Sequence, residues 1–387
     1  MFLVWIVLVG VLLITGGLLV GFWKREKIKR LLVVHSLFRE NRIVSNFSNM
    51  AVGFLHKEIP KGEGPVSPLP QGTPMSMPAS YAPWTREHTV TSLLVLKQGQ
   101  IVHEAYYHGT SAGDLRISWS IAKSYLSALF GVIVGEGAIP SLDAPVTEYA
   151  PSLAGGAYDS ATILDVLQMS SGITFDEDYL AYFSDINKMG RILALGGTMD
   201  GFAEGLQETF AAPGETWQYT SIDTHVLGMV LRGATGRDIV DLMSEKVITP
   251  LGLERTPIYL TDGVGIEFVL GGLNFTTRDY ARFGQMILQN GNWQGRQVVP
   301  ADWVTVSTGR RVRTPPDEMD YGYQWWIPEG AAPGQFTGRG IYGQYLYIDQ
   351  PAGVVIVCTA ADRRFREDGR PQLNIDMFRE IVAATKD

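Results

Sequence analysis

The order of elements predicts an α+β domain, with a sheet built from both chain ends and a helical region inserted between them. Three observations carry this. Two apolar-rich runs, 91–96 and 100–107, flank Lys97-Gln98-Gly99 and read as a β-hairpin. Two more strand-like runs, 343–348 and 353–359, lie near the C-terminus. Between about 140 and 320 the pattern is mostly helices and loops.

At 387 residues, 45% hydrophobic and 19% charged, the chain has the composition of a folded protein with a sizeable core. Its net charge of −8 is uneven: residues 1–50 carry seven Lys/Arg and two Asp/Glu, a net of +5, which leaves −13 for the rest. A body this acidic argues against nucleic acid as a partner. The single cysteine, Cys358, excludes an internal disulfide and a cysteine-based metal cage.

Taken in order, residues 2–23 carry no charge, and at about 1.5 Å per residue a helix of this run would span a bilayer core. Trp23 stands at interface depth, and Lys24, Arg25, Lys27, Lys29 and Arg30 follow. A cleavable signal would place basic residues before the run and a small-residue site after it. This run has neither, so 1–23 is read as an uncleaved anchor and the chain as a single-pass membrane protein. The basic flank favours the cytoplasmic side for the body without fixing it. Residues 24–56 form a basic juxtamembrane segment. If it is helical, Ile28, Leu31, Val34 and Phe38 share a face, and the helix either lies amphipathically on the membrane or continues the anchor into solvent. Seven of the twenty prolines fall between Lys57 and Glu87, which marks 57–86 as an extended connector ahead of a globular domain at 87–387.

After the hairpin, an apolar helix opens at Ser120 and ends at Gly135-Glu136-Gly137. Thr162, with Asp165 three on, opens a short helix that Gly172 closes. Further helical runs cover 238–247 and 277–289, and 372–384 forms a closing helix. There is no internal repeat.

The chemistry centres on Ser120-Ile121-Ala122-Lys123. On a helix, positions i and i+3 share a face, so the Lys123 ammonium can reach the Ser120 hydroxyl. A desolvated lysine can lose its charge and take the serine proton, while the Ser120 amide at the helix N-terminus points a donor at developing negative charge. Two other patterns are set aside. Gly109-Thr110-Ser111-Ala112-Gly113 fits a nucleophile elbow, but no helix start follows it and the only later histidine is His225. His103-Glu104 and His108 resemble a zinc helix, but the histidines are five apart in a strand-like run, where the motif needs four. No metal or other cofactor is indicated.

About a hundred residues on comes Pro213-Gly214-Glu215-Thr216-Trp217-Gln218-Tyr219-Thr220-Ser221. With Ser-x-x-Lys upstream, the chain resembles the serine β-lactamase and penicillin-binding superfamily in its class C-like branch. Within that branch it is most similar to the 6-aminohexanoate-dimer (nylon oligomer) hydrolases, which carry Tyr-x-Ser as Tyr219-Thr220-Ser221 does here. Tyr182-Phe183-Ser184 repeats the spacing without the Pro-Gly lead-in. The resemblance runs from about residue 85 to the C-terminus and includes Met169-Ser170-Ser171-Gly172, Gly272–Asp279, Tyr321–Trp326 and Gly340-Ile341-Tyr342-Gly343-Gln344. The family's third motif, Lys-Thr-Gly or His-x-Gly, falls at Gly340–Gln344, where this chain has no Lys or His. The resemblance therefore leaves open both β-lactam turnover and carboxylate-directed peptidase activity.

The resemblance implies a β-lactamase-like antiparallel sheet with flanking helices, and an acyl-enzyme hydrolase acting on a small ester or linear amide. Ser120 would attack, with Lys123 taking its proton directly or through Tyr219. The Ser120 and Ile341 amides would hold the oxyanion, and Tyr219 would protonate the leaving group. Tyr179 falls where the nylon oligomer enzymes place a substrate-contacting tyrosine. The rival reading is a catalytically silent, membrane-tethered binding or sensor domain of the same fold.

Overall fold

Strands form where apolar and β-branched residues gather, and in this chain they gather at both ends. The computed structural model describes residues 25–316 and 318–386. The expected anchor at 1–23 lies outside them, and among the described residues no helix is long and apolar enough to cross a membrane. Strand β1 (His56–Glu58) is followed by β2 (Val90–Lys97), β3 (Gln100–Tyr106), β4 (Arg116–Ile117), β5 (Ile258–Leu260) and β6 (Leu273–Phe275). The C-terminal part adds β7 (Asp320–Tyr321), β8 (Trp326–Ile327), β9 (Gln335–Gly340), β10 (Gln344–Asp349) and β11 (Val354–Ala360). They make a seven-stranded antiparallel sheet, β3-β2-β11-β10-β9-β8-β7, and a smaller sheet, β1-β5-β6-β4.

The predicted hairpin is present, with Lys97 opposite Gln100. Its two-residue loop, Gln98-Gly99, takes φ of +50° and +77°, the left-handed pair that matches strand twist and that glycine adopts without strain. Within this sheet β2 pairs with β11, Leu93 opposite Cys358 and Val95 opposite Ile356, so strands from the two chain ends lie side by side. Leu94 and Leu96 enter one apolar cluster and Leu93 and Val95 the other. Both faces are covered, which is why β2 reads as an unbroken apolar run.

The helices that matter for the site are α1 (Arg25–Ser36), α2 (Ile43–Ser48), α3 (Tyr81–Glu87), α4 (Ile121–Gly135), α5 (Ile163–Leu167), α6 (Asp185–Leu195), α7 (Ser221–Thr235), α8 (Thr277–Leu288) and α9 (Arg370–Ala384). Helix α4 is buried on every side from Ile121 to Ile133, as its nearly all-apolar sequence requires. Helix α5 carries the expected capping box: the Asp165 amide donates to Thr162 Oγ1 at 3.2 Å, and the Thr162 amide to Asp165 Oδ2 at 2.9 Å. The helix itself ends at Leu167, and Gly172, at φ +73°, turns the chain five residues later. The run expected as one helix at 238–247 is α-helical only over Ile239–Met243, and then widens into a π turn over Ser244–Ile248. The widening sits just ahead of Pro250, which has no N–H to close an α-helical turn.

The segment before the hairpin is part of the body. Leu37, Ile43, Phe47, Met50, Phe54 and Ile59 join the apolar cluster that holds α4. Helix α1 docks through Val33, which meets Gly53, and through half-buried Val34, while Ile28, Leu31 and Leu32 face outward. The positions expected to share a face therefore divide, and Phe38 lies beyond the helix end. The Pro-rich stretch 57–86 has no helix between β1 and α3, and its backbone there is hydrogen-bonded to the body. The Ser67 amide donates to Gly252 O at 2.8 Å, Ile101 to Pro70 O at 2.8 Å, and Gly72 to Ile101 O at 2.9 Å.

Candidate active site

Ser120 stands at the mouth of α4 behind Trp119, whose φ of +43° is rare for a bulky residue and costs roughly 1–3 kcal/mol. The conformation is held by packing: Phe47 meets the Trp119 ring edge-on at 5.5 Å and Phe38 lies at 6.0 Å. One turn into the helix, buried Lys123 donates to Ser120 Oγ at 3.1 Å, Ser221 Oγ at 3.2 Å and Leu270 O at 2.9 Å. Burial pulls its pKa down to about 7, against the opposing pull of the Glu177 and Asp223 carboxylates. The sequence-predicted pair thus meets, with the lysine poised to exchange a proton near neutrality.

Tyr219 precedes α7 and joins the same cluster. Its hydroxyl lies near Ser120 and Ser221, close enough for both to act on its ionisation, and Lys123 Nζ lies 5.2 Å from its ring centroid. The ring stacks on Trp326 of β8 at 5.1 Å. Burial, and then the charge of Glu177, push its phenol above its ordinary range, so the group keeps its proton.

Strand β9 comes in from the other side. A Cβ at Gly340 would lie 2.6 Å from Ser118 O and 3.1 Å from Ser120 N, so only glycine lets the strand reach the nucleophile's amide. Ile341 is the next residue, and its carbonyl accepts from Gln344 Nε2 at 3.2 Å. Tyr342 follows at φ +60°, stacked on Phe38 at 4.9 Å. Both turns that carry candidate oxyanion donors are therefore braced by aromatic rings from the N-terminal segment.

Tyr179 is also drawn into the cluster. Its hydroxyl donates to Glu177, its ring meets Phe365 at 6.1 Å, and the Arg366 guanidinium lies 5.7 Å over its face. Glu177 is the residue the sequence reading passed over. It accepts from the Ser221 hydroxyl and, at 2.9 Å, from the Ser221 amide. Burial raises its pKa, while Lys123 and its hydrogen bonds act the other way. Asp176-Glu177-Asp178 looks like a solvated acidic loop, and only the tertiary fold turns the middle residue inward. Asp223, deeper in α7, accepts from Tyr158 at 2.6 Å and Ser171 at 2.8 Å, and burial pushes it up to about 7. On β9, Arg339 lies 5.2 Å over the Trp326 ring, a cation beside the tyrosine that no motif signalled.

The patterns set aside have structural explanations. Ser111 donates to Asp114 Oδ1 at 2.7 Å in an exposed turn that leads into β4, not into a helix. His225 is held by Asp200 at 2.8 Å. His103 bonds the Tyr81 hydroxyl, and Glu104 is paired with Arg278. Ser184 caps α6. Among the described residues no group of three or more His, Cys, Asp or Glu side chains is arranged to hold a metal.

Comparison with known proteins identifies the family and the fold. The Beta-lactamase family model matches residues 85–375. The chain is 33% identical over 286 residues to the 6-aminohexanoate-dimer hydrolase of Paenarthrobacter ureafaciens, covering 70% of this chain and 72% of that protein. A Bacillus anthracis structure assigned as a 6-aminohexanoate-dimer hydrolase superposes with a TM-score of 0.79 at 22% identity, covering 90% of this chain and 96% of its own. A family VIII carboxylesterase superposes at 0.58 with 17% identity, covering 80% of this chain and 99% of its own.

Proposed function

This chain belongs to the beta-lactamase family, as a serine hydrolase of the amidase and esterase kind, and we propose that it is a membrane-anchored enzyme cleaving a small ester or linear amide through an acyl-enzyme on Ser120. The observation that carries the reading is the buried Lys123 amine, held near 7 and 3.1 Å from Ser120 Oγ. About half of such a group is neutral at pH 7, where it can take the serine proton directly. Tyr219 retains its own proton and is the acid that delivers it to the leaving amine or alcohol. The Ser120 and Ile341 amides receive the oxyanion. Water, activated by the same Lys123 and Tyr219 pair, then hydrolyses the ester formed on Ser120. Tyr179 contacts the substrate from the loop beside Glu177, and residues 2–23 hold the protein to the membrane.

A fluorophosphonate probe tests the reading against a silent binding domain. The folded full-length chain should take up one phosphonyl group on Ser120, and Ser120→Ala should take up none. Absence of labelling in the folded wild type, or labelling that survives Ser120→Ala, would remove the proposed nucleophile.

A further inference from the structure

Helix α1 is docked, yet Ile28, Leu31 and Leu32, one stripe at i, i+3 and i+4, stay 46%, 41% and 64% exposed. A second group of outward-facing apolar residues lies on the loop between Glu177 and α6: Leu180 at 76%, Tyr182 at 67% and Phe183 at 79%. The two groups are joined, because α1 packs on α6 and Arg191 of α6 donates to the Tyr182 carbonyl at 2.6 Å with its guanidinium 4.5 Å over that ring. The loop carries Glu177 and Tyr179, which are bonded into the catalytic cluster. From the end of α1, a track of ring contacts leads to the same place: Phe38 to Tyr342 at 4.9 Å, Tyr342 to Phe365 at 4.5 Å and Phe365 to Tyr179 at 6.1 Å.

We propose that this apolar rim rests on a bilayer containing anionic lipid, and that the substrates are amphiphilic esters or amides whose alkyl or acyl chain reaches Ser120 from the lipid along the aromatic track. Two features select a bilayer over a protein partner. The uncharged run 2–23 lies in sequence just ahead of the Ile28, Leu31 and Leu32 stripe, so the stripe neighbours the sequence best suited to lipid. Charges on α1 (Arg25, Lys27, Lys29 and Arg30 against Glu26) also sum to +3, and those on α6 (Lys188 and Arg191 against Asp185, which pairs with Lys188 at 2.8 Å) to +1. Both helices beside the stripes are therefore net basic, the complement of an anionic headgroup layer. The inference rests on the serine-hydrolase and anchor readings above.

The test uses the full-length chain in phosphatidylcholine–phosphatidylglycerol vesicles, with p-nitrophenyl acetate in the water and p-nitrophenyl dodecanoate in the lipid. A Leu180→Asp/Phe183→Asp variant should lower kcat/KM for the dodecanoate by at least about tenfold and leave the acetate within about twofold. An environment-sensitive dye on Phe183→Cys should shift to the blue with vesicles. It can be placed selectively, since the native Cys358 is buried. An unchanged dodecanoate-to-acetate ratio, with intact acetate hydrolysis, would overturn the bilayer proposal alone. Loss of acetate hydrolysis in the wild type would overturn the hydrolase reading and this proposal with it. A dye that stays in water on floated vesicles, or that shifts only with protein concentration, would overturn the proposal in favour of a rim left free or covered by a second copy.

Discussion

A lysine held near 7 makes the rate depend on pH in a definite sense. Only the neutral amine can accept the Ser120 proton, so kcat/KM should rise with pH through about 7 and level off above it. Glu177 opposes the burial that lowers Lys123, so neutralising that charge in Glu177→Gln should move the acid limb to lower pH. A limb that stays in place would show that the carboxylate positions Ser221 without acting on the lysine. Tyr219 answers to a different measurement. A positioned proton transfer is typically worth about 10²–10⁴-fold, and an amine leaving group needs it far more than p-nitrophenolate does. Tyr219→Phe should therefore depress single-turnover acylation by an amide much more than by a p-nitrophenyl ester. Equal losses on the two substrates would reduce Tyr219 to a relay or a packing group.

Among the elements, β9 has the least tolerance. Gly340→Ala sets a Cβ against Ser118 O and Ser120 N, both backbone, so the strand must retreat from the nucleophile. A displacement of about 1 Å can cost on the order of 10²-fold, and fluorophosphonate labelling of Gly340→Ala should slow by about that much. Gly338→Ala meets the Ser124 hydroxyl at 3.1 Å, a side chain that can yield, and should slow labelling only several-fold. Comparable rates in the two variants would contradict the close approach. The same strand shows where sequence reading fails. Its Gly338 and Gly340 have poor strand propensity, and a Cβ at either would press on α4 or on the turn before it, so Gln335–Gly340 gave no strand signal. The 98–99 turn and the Thr162 capping box were readable because their information is local. Thr162→Ala should accordingly cost about 1 kcal/mol in denaturant titration and leave the rate unchanged. Ser120, Lys123 and Tyr219 were readable through spacing and motif. Glu177 was not, because its burial follows from the packing of Tyr179 and Ser221.

For the molecule as a whole, the N-terminal segment packs against the turns of the candidate site. Phe47 is fully buried and wedges both Trp119 and Tyr342, the residues beside the two proposed oxyanion donors. Phe47→Ala should cost about 3–5 kcal/mol in stability and also slow acylation in the fraction that remains folded. Thermal unfolding and labelling rate measured on one sample separate the two effects, and an unaltered labelling rate would show that the wedge is structural only. The pairing of β2 with β11 has a different consequence. The Thr91 and Thr359 hydroxyls, bonded between these two strands, are 268 residues apart in the chain. On the ribosome, β2 and the nearly all-apolar α4 emerge long before the strands that cover them exist, and their apolar surface stays exposed until translation is almost complete. The serine and lysine are thus made early, but the strand that approaches the Ser120 amide is made late. Chains released prematurely should carry both residues and fail to label with a fluorophosphonate.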